Sequence, residues 1–330
     1  MASPGCRNGG GDTGRRRLRC SGYRGHLVAA RDVTGDRDAG RGDTGTHIGT
    51  DPARHLEPAV DDRGVICRGC CSGQGAGGGG GEPHPILRAE RHALFGVVGR
   101  HLRSTAYQAV AHPSLPNYLA IIGGSTFGVT DDRPPADHPV PGASVLDLAI
   151  AKTATAKAYI EDMPGPCTLD SNGDYAVKHN PWAYFADPTA RRNCRSFDLP
   201  AGTATGGALH DDVQAGTLPT IGMLIPNLCH DAHNCPLATA DAWLQQWMPV
   251  LMQGPDYRSG HLAIVITFDE DDNSGDNTVL TTVIAPTVHH VSAATPLTHY
   301  SLTGYLAELT ATPPPGEAAT APSLSTAFGL

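Results

Sequence analysis

The sequence predicts an α/β layered fold, and two observations carry that expectation. From Tyr107 onward, short apolar runs alternate with segments whose apolar residues recur at helical spacing. Several of those apolar runs stop abruptly in polar loops, and in α/β folds ligands sit outside the carboxyl ends of strands.

The elements follow in order. Ser144 heads SVLDLAIAKTATA (144–156), a helix that starts on a capping side chain. KAYIEDMPGPC (157–167) is a short strand running into a Pro/Gly loop, and YAVKHNPWAYF (175–185) is aromatic and irregular, as a lining loop would be. TLPTIGMLIPN (217–227) is an apolar strand ending in Pro-Asn. DAWLQQWMPVLMQG (241–254) is an amphipathic helix bounded by Asp241 and Gly254. HLAIVITFDEDDN (261–273) is a buried strand ending in four acids, TVLTTVIAPTV (278–288) is the next strand, and THYSLTGYLAELTA (298–311) is a helix. No internal repeat is visible.

The 330 residues suffice for one large α/β domain or two ordinary ones. Their net charge of −9 hides a split. Residues 1–100 hold fifteen Arg, no Lys, eleven Asp or Glu and two aromatics, Tyr23 and Phe95. The rest carries nine basic residues against twenty-two acidic ones. An acidic body argues against a nucleic-acid surface. No apolar run is long enough to span a membrane, and the first thirty residues lack the apolar core of a secretory signal. Residues 1–100 are rich in Arg and Gly without periodicity, so they bury little to offset chain entropy and read as disordered. A translation start or frame error upstream would write the same kind of text. Residues 101–330 are the expected domain.

Nine cysteines form two groups. Cys67, Cys70 and Cys71 lack a second ligand pair at a metal-binding spacing. Cys167, Cys194, Cys229 and Cys235 lie in the organised part, as disulfides of an oxidising compartment or as buried thiols.

Five stretches carry chemistry. In FDEDDN, the consecutive carboxylates of Asp269, Glu270, Asp271 and Asp272 repel one another and call for solvent or a hard divalent cation. NLCHDAHNC puts His230, Asp231 and His233 within four residues. His179 in KHNP and His299 in THYS are single histidines, each unremarkable alone. In HPSLPNYLAIIGGST, Ser114 precedes an apolar helical run that Gly123-Gly124 would end. On the residues alone Ser114 reads first as a helix cap, and the same position places a hydroxyl where backbone N–H groups attract an anion.

With these residues assembled, the chain resembles the phosphoesterase family that contains bacterial phospholipases C and acid phosphatases, a branch of the alkaline phosphatase superfamily. The matching stretches are AVAHPSLPNYLAIIGGSTFGVTDD, YIEDMPGPC, YAVKHNPWAYF, GTLPTIGMLIPNLCHDAHNC, DAWLQQWMPVLM, VITFDEDD and THYSLTGYLAEL, running from about residue 103. The resemblance implies a three-layer α/β/α sandwich and hydrolysis of a phosphoester substrate through a phosphoserine. It makes Ser114 the nucleophile, Asn117 a holder of the phosphoryl oxygen, and Asp269 with Glu270 the ligands of a divalent metal ion. His179, Asp231 and His233 become polar groups around the phosphate, and His299 a metal or phosphate ligand. The residues themselves add His230 as a substrate-binding group and His233 or His299 as the acid–base partner. It also implies export to the cell envelope or medium.

The family begins with a strand ending in Glu-Asn that supplies further metal ligands, and no Glu-Asn dipeptide occurs here. The expected domain therefore lacks its first strand, and the alternative is an inactive member that binds without turnover. A carboxylesterase reading of Ser114 lacks the G-x-S-x-G elbow.

Overall fold

The structure, a computed structural model, describes residues 25–31, 102–289 and 291–330, with only the backbone of 25–31. Its strands are β1 (Gly25–Arg31), β2 (Leu102–Ser104), β3 (Tyr107–Gln108), β4 (Ala156–Ile160), β5 (Asp198–Pro200), β6 (Ile221–Ile225), β7 (Leu262–Phe268), β8 (Thr281–Ile284), β9 (Val291–Ala293) and β10 (Leu297–Thr298). Among the described residues, one sheet runs β5-β4-β6-β1-β7-β8-β2-β9, and β3 pairs with β10 apart from it. β4 is parallel to β5 and to β6, whereas β1 is antiparallel to both β6 and β7. β8 is antiparallel to β7 and β2. The architecture is mixed α/β.

β7 is buried along its whole length, which explains why LAIVITF reads as a continuous apolar run. β4 and β6 are built alike, and both end in polar loops at the same edge. The helices are α1 (Ser114–Gly123), α2 (Val145–Ala151), α3 (Pro188–Phe197), α4 (Ala208–Ala215), α5 (Leu237–Gln253), α6 (Pro255–Arg258), α7 (His299–Leu309) and α8 (Leu324–Phe328). α1 is buried on every side, so it is a core helix against α7.

Local chemistry sets most boundaries. Ser144 caps α2 through a capping box in which the Asp147 carboxylate accepts the Ser144 N–H. The 175–185 stretch forms two 3₁₀ turns, Val177–His179 and Pro181–Tyr184, as its irregular pattern suggested. α5 begins at Leu237 after Pro236, not at Asp241, because LATA already has helical propensity and Pro236 supplies the entry. Gly254 does end it. Ser114 does not cap α1: Pro113 holds the cap position and Ser114 is the first helical residue. At the other end Gly124 adopts φ +66°, and a Cβ there would meet the Pro315 carbonyl oxygen at 2.0 Å.

The four cysteines of the organised part form two disulfides, Cys167–Cys194 and Cys229–Cys235. The reading of residues 1–100 as a low-complexity, disordered or mistranslated segment falls outside the described residues except at Gly25–Arg31. There the backbone fills the slot between β6 and β7, running against both.

Candidate active site

Ser114 opens α1 directly after the turn made by His112 and Pro113, which are joined by a cis peptide bond. Its side chain is buried, and its hydroxyl donates to Glu270 Oε1 at 3.2 Å. Glu270 stands just past the end of β7, so a helix start and a strand end separated by 156 residues meet at one hydrogen bond. Asp269, Glu270 and Asp271 are all buried there.

His112 closes the other side of this cluster, a role that no sequence pattern signalled. Its Nδ1 lies 2.6 Å from Glu270 Oε2 and its Nε2 lies 3.2 Å from Asp271 Oδ1. Asp271 also organises the turn that follows, accepting the N–H groups of Asn273, Gly275 and Asn277.

A second group comes from other elements. His179 Nδ1 lies 3.0 Å from Asp231 Oδ2, and both residues are buried. Asp231 Oδ1 accepts the backbone N–H of His233 at 2.7 Å. The His179 ring stacks on Tyr118 of α1 with centroids 5.0 Å apart and stands 5.8 Å from the His233 ring. Lys178 donates to Asp132 Oδ2 at 2.7 Å and to His233 Nε2 at 3.2 Å. Asp132 Oδ1 in turn accepts the Leu115 N–H at 3.0 Å, one residue from Ser114. An ammonium has no acceptor, so Nε2 of His233 is the acceptor in that contact. Its Nδ1 faces the Asn234 side-chain oxygen at 2.8 Å and carries the proton. Lys178 and Asp132 escaped sequence reasoning because their partners lie far along the chain.

Three expected residues are engaged differently. Asn117 is buried, and its side chain is spent on the loop before α1. Its oxygen accepts from Val110 N and Ala111 N, and its amide donates to the Ala111 and Pro113 carbonyls. It therefore shapes the turn that delivers Ser114 instead of pointing at a phosphoryl oxygen. His299 is fully buried: its Nε2 donates to the Asp269 carbonyl at 2.7 Å, and its Nδ1 takes the Tyr107 hydroxyl at 3.2 Å. Burial raises the Tyr107 pKa and keeps that hydroxyl protonated. With both nitrogens so engaged, His299 positions the Asp269 backbone. His230 Nδ1 faces both Glu161 oxygens at 2.9–3.0 Å, while its ring stacks on Trp243. That ties His230 to the end of β4.

The donor chemistry at Asp269 and Glu270 suits a hard cation: adjacent buried carboxylates, beside a hydroxyl, with Asp271 next to them. Among the described residues, three ligand-type side chains converge within 4.8 Å only at Cys167, Cys194 and Asp198. That trio is no metal site, because its sulfurs are bonded to each other and offer no thiolate.

Over 225 residues the chain is 29% identical to the Phosphatidylinositol-3-phosphatase of Mycobacterium tuberculosis, covering 67% of this chain and 70% of that protein. It is 29% identical over 217 residues to the Phosphate-repressible acid phosphatase of Penicillium chrysogenum, covering 61% of this chain and 50% of that one. It is 30% identical over 177 residues to an Acid phosphatase of Aspergillus fumigatus, covering 51% and 38%. The chain thus spans half or less of the length of those two fungal relatives. The Phosphoesterase family matches residues 101–301, the span that contains Ser114, both histidine groups and the carboxylates at the end of β7. On that match across most of the chain, this protein belongs to the Phosphoesterase family.

Proposed function

We propose that this phosphoric ester hydrolase cleaves its substrate through a phosphoserine formed on Ser114, as an acid phosphatase does, within a three-layer α/β/α sandwich. The observation that carries the reading is the 3.2 Å hydrogen bond from Ser114 to Glu270 at the start of a buried helix. There the hydroxyl is oriented by a carboxylate, while the helix N-terminus favours an approaching anion.

The reaction divides among named atoms. Ser114 Oγ attacks phosphorus as the P–O bond to the leaving group breaks; the Ser114 proton passes to the carboxylate that already accepts it, and the leaving alkoxide takes a proton from solvent. Asn117, bonded to the Ala111 and Pro113 carbonyls, holds the nucleophile in register. Water then opens the phosphoserine, and His233, whose Nε2 accepts from the Lys178 ammonium, is the acid–base group. His179, oriented by Asp231, donates to the phosphoryl oxygens. Asp269 and Glu270 would hold a divalent cation, which supplies charge neutralisation at phosphorus and a lower pKa for the attacking hydroxyl.

The test is Ser114→Ala in the full chain with p-nitrophenyl phosphate. Turnover should fall by roughly 10³-fold or more, as for loss of a nucleophile, with the circular dichroism spectrum unchanged. Retained turnover would remove the assignment. A second reading, a family member that binds phosphate without turnover, is favoured by the missing Glu-Asn motif. Phosphate binding with no hydrolysis by the wild-type chain would select it. The two disulfides support an oxidising compartment as the place of action.

A further inference from the structure

We propose that Lys178 binds a non-bridging oxygen of the phosphoryl group and makes the site select dianionic phosphomonoesters over monoanionic diesters. The inference rests on the phosphoester reading above and adds the charge class of the substrate.

Asp132, Asp231, Asp269, Glu270 and Asp271 crowd the helix start and the loops facing it. A phosphate dianion approaching these groups is repelled unless positive charge is fixed beside it, and that repulsion grows with the charge on the ligand. Lys178 brings an ammonium into this cluster, and the chain beyond residue 100 has only two other lysines, Lys152 and Lys157. It lies in the 3₁₀ turn Val177–His179, next to the histidine that stacks on α1.

Its contacts leave it able to do so. The side chain is mostly buried, with 18% of its surface exposed, and its ammonium is held by Asp132. Two of its three N–H donors reach Asp132 and His233 among the described residues. The third is available to a ligand oxygen. Asp132 fixes the ammonium relative to the nucleophile, because its other oxygen holds the Leu115 N–H. The carboxylate pair Asp132 and Glu270 therefore ties the start of α1 to Lys178 and to the end of β7. A phosphoryl group on Ser114 would sit between these anchors.

The test has a binding arm and a turnover arm, both on the full chain. Calorimetry with inorganic phosphate at pH 8, where the dianion dominates, needs no turnover. Lys178→Met should weaken binding by about 10- to 100-fold, the worth of one charge-assisted hydrogen bond, and Lys178→Arg should restore most of it. Unchanged binding in Lys178→Met, or no binding by the wild-type chain, overturns the proposal. In the turnover arm, Lys178→Met should lower kcat/KM for p-nitrophenyl phosphate by a similar factor while changing that for bis(p-nitrophenyl) phosphate by no more than about threefold. Equal losses on the two esters would mean that Lys178 only supports Asp132, and would overturn it. A wild type that binds phosphate but turns over neither ester leaves the binding arm to decide this proposal, and counts against the Ser114 mechanism alone.

Discussion

Asp198 shows how much a single buried carboxylate decides. It opens β5 with no solvent exposure, and burial raises its pKa from 3.8 to about 7 despite the Asn180 amide that donates to it at 2.8 Å. The sign follows from linkage. Between pH 4 and 7 the folded chain holds a proton that the unfolded chain has lost, so this group's contribution to stability falls as pH rises through that range. Above pH 7 the full penalty, at most about 4 kcal/mol at 1.36 kcal/mol per unit, is in place. Asp198→Asn should therefore flatten the pH dependence of unfolding free energy, stabilising the protein at pH 8 more than at pH 5. Urea denaturation of both proteins at the two values checks it, and parallel curves would contradict the assignment.

Helix α1 illustrates the element scale. Its start is set by Pro113, its face by packing on all sides, and its end by a pair of glycines that touch. Gly124 at φ +66° and Gly316 at φ +53° approach so closely that a Cβ on either would fall 2.0–2.3 Å from the carbonyl oxygen of Pro315 or Gly124. The Glu317 N–H donates to the Gly124 carbonyl at 2.8 Å, tying the two segments. Gly124→Ala adds both a left-handed alanine and a backbone collision, so it should cost more than about 2 kcal/mol, whereas the same change in a helix interior would gain about 1 kcal/mol. A thermal melt lowered by several degrees is the expected reading, and an unchanged melt would show that the two segments do not meet. Gly123-Gly124 was legible as a helix stop because left-handed glycine is a local signal. The contact with Pro315 was not, since it joins residues 191 positions apart.

At the scale of the whole molecule, two disulfides clamp loops at one edge of the sheet. Cys167–Cys194 ties the loop after β4 to α3 over 27 residues, and Cys229–Cys235 closes the loop that carries His230, Asp231 and His233. By loop-closure entropy the first contributes about 3.5 kcal/mol and the second about 2 kcal/mol. Replacing Cys167 and Cys194 with Ser should therefore lower stability more than replacing Cys229 and Cys235. The shorter loop holds Asp231 and His233, which the proposed mechanism uses, so its loss should act more strongly on phosphate affinity. Paired denaturation and phosphate titrations on the two double variants would show the reverse order if this division of labour is wrong.

The sequence by itself determined the elements whose signals are local. Ser144 with Asp147 announces a capped helix, LAIVITF announces a strand buried on both faces, and the carboxylates after it announce a strand end with chemistry attached. It also brought Ser114, Asp231, Glu270 and the histidines into view, because their spacing fits a family. Tertiary structure alone decided which of them meet. Asn117 turned inward to hold its own loop, His299 to hold the Asp269 backbone, and His230 to face Glu161. Lys178, Asp132 and His112 joined the site through partners 46, 17 and 158 residues away. The physical reason is that hydrogen bonds between side chains depend on position in space, which periodicity and propensity encode only over a few residues.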